Sequence, residues 1–185
     1  MSRYLVRHLD DGSAQPGSDA RYREINIHDN FAPRPVDPNY SRRWLFEGEH
    51  IFVYVDDCRV FMLDIQKTIE KMLCKLKSNR KHVTSDDEHD LTGMKSKIHK
   101  WVKENWRVTS ALESLQGGRF TDGERREFPA AIELYPRANR GRMLIQRFYL
   151  DLTQLQVKDK AQTVVKLLNQ MKIALENWLP GSSLV

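Results

Sequence analysis

The stretch HIFVYVDDCRVFML, residues 50–63, decides what kind of fold to expect. Its Val, Ile, Tyr and Phe side chains are the types that suit a pleated, half-buried strand. Asp56-Asp57 interrupts them, and Asp tolerates turn geometry while solvating a hairpin tip. With RRWLFEGE just before it, the stretch predicts two strands around a tight turn, a β-hairpin over residues 44–63.

Outward from the hairpin the pattern turns helical. Ile65, Ile69, Met72, Leu73 and Leu76 repeat at helical spacing from Asp64, predicting a helix over about 64–78. Met94, Ile98, Trp101, Val102, Val108 and Leu112 predict a second over about 93–116, stopped by Gly117-Gly118. A third is expected over about 159–179, where Asp159 and Gln162 resemble a capping box and Pro180-Gly181 ends the run. Residues 143–157 suit a helix through Leu144, Phe148, Leu152 and Leu155, and a strand through the alternation in RFYLDL; the helix is preferred. Residues 79–90 and 117–142 read as loops, the latter broken by Gly, Pro129 and Pro136. The expected class is α+β, mainly helical: a β-hairpin packed on three to four amphipathic helices.

A chain of 185 residues fits one domain with a single core. Pro33, Pro35 and Pro38 keep their preceding residues out of the helical region, so residues 1–42 read as an extended, partly flexible N-terminal arm. Scattered Tyr4, Leu5, Val6, Tyr22, Ile25, Ile27 and Phe31 would give that arm something to dock with. Residues 43–180 are then one globular α+β domain and 181–185 a tail. The sequence contains neither an apolar run long enough to span a bilayer nor a secretory leader, and Cys58 and Cys74 make no disulfide framework. No membrane association is expected, and the cytoplasm or nucleus is the expected location.

Charge is the strongest functional signal. Residues 1–92 carry 14 Lys/Arg against 16 Asp/Glu, while 93–185 carry 16 against 9, so the second half is the basic one. On the helix expected from 93, Lys95, His99, Lys103 and Arg107 follow one another at four-residue steps as a basic ridge. Arg119, Arg125, Arg126, Arg137, Arg140 and Arg142 fall in the expected loop, near Phe120 and Tyr135. Arginine offers a planar fork for phosphate or carboxylate, and aromatic rings stack on unpaired bases, which favours RNA over DNA among nucleic acids. A protein partner is expected on the arc of Leu168, Met171, Leu175 and Trp178. Ser85-Asp86-Asp87-Glu88 is a plausible acceptor for an acidophilic kinase.

Tyr54-Val55-Asp56-Asp57 resembles the catalytic box of reverse transcriptases, where two carboxylates at a hairpin tip help hold metal ions for phosphoryl transfer. The resemblance covers only this hairpin. It implies a third carboxylate on a neighbouring strand upstream, and Asp10, Asp11, Asp19, Asp29 and Asp37 lie in or beside Pro/Gly-rich chain. A metal-dependent nucleotidyl-transfer enzyme using Asp56 and Asp57 is therefore the alternative. Cys58, Cys74, His82, His89 and His99 lack the paired spacing of a metal site, and no phosphate loop, dinucleotide fingerprint or nucleophile elbow occurs. The leading expectation is a non-enzymatic binding or adaptor protein, with no catalytic residues, cofactor or metal, working in a protein complex or through nucleic acid.

Overall fold

The computed structural model describes residues 38–76, 82–156 and 161–180. The arm up to residue 37, the cap at Asp159 and the tail 181–185 lie outside them. The described chain is helical, with no strand: α1 (Pro38–Glu47), α2 (His50–Leu76), α3 (Ser85–Glu104), α4 (Trp106–Ser114), a 3-10 turn (Gln116–Gly118), α5 (Asp122–Glu127), α6 (Pro129–Gln154) and α7 (Ala161–Trp178). Residues 38–42, expected in the arm, are already helical.

The expected hairpin is instead the first half of α2. Ile51, Tyr54, Val55, Cys58, Met62, Ile65, Ile69, Met72 and Leu76 are all buried, and their three- and four-residue steps run past residue 64 without a break. Strand-like composition describes how side chains fit a surface, not how the backbone must run; the buried stripe fixed the backbone here. Asp56 and Asp57 are therefore consecutive positions inside a helix, about 100° apart around its axis. The real change of direction lies earlier, at Gly48-Glu49, where Glu49 takes a left-handed φ of 56°. A Cβ on Gly48 would sit 2.3 Å from His50 Nε2, so a side chain there would push the buried His50 ring from its stack on Trp44.

Two further expectations change. The helix placed at 93–116 starts at Ser85 and breaks at Asn105 (φ −111°, ψ 15°), whose side-chain amide donates to the Trp101 carbonyl at 2.9 Å. Its start is set by Thr84: the Thr84 hydroxyl accepts from the Asp87 amide at 3.2 Å, and the Thr84 amide donates to Asp87 Oδ2 at 3.0 Å. The loop assigned to 117–142 holds all of α5 and half of α6. Pro129 opens α6, a position where the missing N–H costs nothing, and Pro136 is carried inside it. Buried Ala131, Leu134, Ala138, Ile145, Phe148 and Leu152 supply the stripe that keeps the helix continuous.

The described residues fall into two compact units, one up to Tyr54 together with His99–Asn139 and the other Val55–Ile98 together with the residues from Arg140 on. In the first, α1 packs on α4. Phe46 lies 5.9 Å from Phe120 and 5.6 Å from Phe128, and Phe120 meets Tyr135 edge-on at 5.3 Å. The Tyr135 hydroxyl donates to the Leu115 carbonyl at 2.8 Å, closing the turn through Gly117 and Gly118, both at positive φ. In the second, Lys97 on α3 reaches Asp64 on α2 at 2.6 Å, and Lys75 on α2 reaches Asp86 and Asp90 on α3 at 3.3 and 3.1 Å. Residues advance along α2 as they retreat along α3, so these segments are antiparallel. Val164, Leu168, Met171 and Leu175 of α7 are buried, and Gly141 of α6 lies against Trp178, where a Cβ would fall 3.1 Å from Cζ2.

Candidate interaction surface

The basic ridge is not four solvated cations. Lys95 is half-buried, its ammonium 5.8 Å from the centre of the Tyr149 ring, and His99 and Lys103 are half-buried further along α3. Arg107, beyond the break at Asn105, is 3% exposed and lies against Trp44. Leaving α3 for α4 turned the fourth member of the ridge inward.

The arginines expected on a loop are spread over three settings. Arg119 is exposed just before α5, and Arg125 and Arg126 are exposed on it. Arg137, Arg140 and Arg142 ride on α6, where Arg140 is exposed and Arg142 donates to Gln146 Oε1 at 3.1 Å. The aromatic residues expected to stack on bases serve the core instead: Tyr135 is buried and Phe120 packs against it. Arg42 crosses to this region, its Nε donating to Glu124 Oε2 at 3.0 Å and its Nη2 to the Arg119 carbonyl. Burial pushes the Glu124 carboxyl up, but the Thr121 amide and the Arg42 guanidinium outweigh it and hold the group below the usual carboxylate range. Arg42, Arg119, Phe120, Thr121 and Glu124 line a cavity of about 520 Å³ in which Arg42 and Glu124 already pair.

The apolar arc expected to face a partner is core: Leu168 and Leu175 are fully buried, Met171 is 1% exposed and Trp178 8%. The expectation took the most apolar face of α7 for its outer face. Among the described residues, the large apolar side chains that do face solvent are Val60 and Leu63 on α2, Met143 and Leu150 on α6 and Ile173 on α7, exposed by 37–58%. All belong to the second unit. Sequence reading missed them because each lies close along the chain to buried residues of its helix, as Val60 and Leu63 flank buried Phe61 and Met62, so an apolar run does not show which of its members face out.

A groove of about 580 Å³ in the same unit is lined by Glu88, Leu91, Thr92 and Lys95 of α3 and by Leu152, Thr153, Leu155 and Gln156 at the end of α6. Asp56, exposed, pairs with Arg59 at 3.1 Å one turn on, and Asp57 is half-buried, so the hairpin tip that would aim both carboxylates at metal ions is replaced by a helix. Ser85 is exposed as the first residue of α3. Among the described residues no cluster of His, Cys, Asp and Glu suits a metal ion, and no helix is long and apolar enough to cross a membrane. No protein-family model, curated protein or solved structure matches the chain.

Proposed function

We propose that this is a non-enzymatic binding protein that holds a protein partner on the helices of its second unit. The observation that supports it is the exposure of Val60, Leu63, Met143, Leu150 and Ile173 in a unit whose core is otherwise closed over Ile65, Ile69, Ile145 and Leu168. Single exposed apolar residues are ordinary, but five large ones within one unit are the raw material of a protein contact. Covering them on association would release their water in the way that folding does for the core.

Photo-crosslinking side chains placed one at a time at these five positions, and at buried Leu168 as a control, test this in the full chain within its native extract. Nuclease-resistant protein adducts at the exposed positions and none at 168 are expected. Adducts that vanish with nuclease, or none at any of the five, would overturn the reading.

A further inference from the structure

The outward side of α6 alternates charge and apolar surface. Arg140, Met143, Arg147 and Leu150 follow at steps of three and four residues, which lines them along one side of the helix. All four are exposed: Met143 by 54%, Leu150 by 53% and the Arg147 side chain by 78%. Opposite them Ile145, Phe148 and Leu152 are buried, so the stripe is the solvent side of a helix whose other side is committed to the core. Of the acidic residues on this side of α6, exposed Glu133 lies a heptad before Arg140, and half-buried Asp151 meets Arg147 at 3.7 Å, a long contact that neutralises little of the positive field.

We propose that this stripe docks an acidic amphipathic helix of a partner protein. The inference rests on the protein-binding reading above and names the partner's chemistry. Met143 and Leu150 are one heptad apart, the spacing at which a second helix sets apolar knobs, and Met adapts its shape to what meets it. Arg140 and Arg147 flank those knobs where a partner's Glu or Asp would sit, and arginine grips carboxylates through a fork. A second copy of this chain, laid antiparallel with Met143 on Leu150, would bring Arg147 beside Arg147 of its neighbour and be repelled. Phosphate backbones have no use for Met143 and Leu150 between the cations, and a bilayer needs a broader apolar face than two side chains provide.

The test uses the full chain and a labelled designed peptide of about three heptads, with Leu on its seam and Glu beside it, next to a twin carrying Lys in place of Glu. The Glu peptide should bind and the Lys peptide should not. Met143→Asp with Leu150→Asp should weaken binding by about a hundredfold or more. Arg140→Glu with Arg147→Glu should reverse the preference towards the Lys peptide, a result that a merely destabilised protein cannot give. Equal binding of both peptides, indifference to both pairs of substitutions, or binding of single-stranded RNA or anionic phospholipid vesicles in place of the peptide would each overturn the proposal. Crosslinked adducts at positions 60 or 173 without any at 143 or 150 would discard the stripe and leave the broader reading standing. No adducts at any position would discard both.

Discussion

The Arg107 guanidinium lies 4.5 Å from the centre of the Trp44 ring, joining α4 to α1 inside the first unit. The same indole stacks on His50, with ring centres 3.9 Å apart and planes 17° from parallel. An arginine that the sequence offers to solvent thus serves as a core side chain, its stem and plane filling space beside aromatic rings. Arg107→Ala should cost about 2 kcal/mol or more in urea unfolding, and Arg107→Lys should recover only part, because an ammonium lacks the flat face. Lys103→Gln on the preceding helix should change stability by less than about 0.5 kcal/mol.

Two glycines inside helices should respond oppositely. Gly93 has no atom within 4 Å of where a Cβ would point, so Gly93→Ala should stabilise by about 0.5–1 kcal/mol through helix propensity alone. Gly141 faces the Trp178 indole, and Gly141→Leu should destabilise by about 1–3 kcal/mol as the ring is forced from its place. Thermal melts of the two variants against the parent check both signs.

Asp57→Pro tests the helix through residues 50–63. The middle of α2 should lose about 3 kcal/mol or more through a lost hydrogen bond and a clash with the preceding turn. Loss of helical ellipticity and a lower melting temperature are expected.

Glu124 gives the fold a dependence on acid. Its carboxyl is held below its ordinary 4.5 in the folded protein, so its ion pair with Arg42 contributes fully above that pH and is lost as pH falls through the lower folded value. Glu124→Gln should lower the melting temperature at neutral pH and narrow its difference from the parent as pH drops below about 4.5. Lys75, whose ammonium is raised by hydrogen bonds to Asp90 and then Asp86, works in the other direction. Its contribution holds below 10.5 and fades as pH climbs beyond that value.

Helical periodicity was legible wherever one buried stripe ran unbroken: Ile65 to Leu76 and Ala161 to Trp178 both lie where the spacing puts them. It misled at residues 50–63 because composition was weighed locally, while the stripe from Ile51 continues into the one beginning at Ile65. Pro136 misled as well, since a proline usually ends a helix and here neighbours on both sides bury enough apolar surface to carry it through. The candidate surface was harder still. The most apolar arc of α7 was bound to be core, and which of its remaining sides stays open depends on what packs against it, which no single helix tells. The break at Asn105, which sends Arg107 inward, has a polar residue but no Gly or Pro to announce it.

The proline inside α6 has a consequence for how that helix opens. Pro136 has no amide proton to give the Ile132 carbonyl, so the ladder lacks a rung one turn after the helix has properly begun. Helices fray where rungs are missing, and this one carries such a place within its length. Amide exchange followed along α6 should therefore show two protected runs, residues 133–135 giving up their protons sooner than 140–150, with the discontinuity at 136.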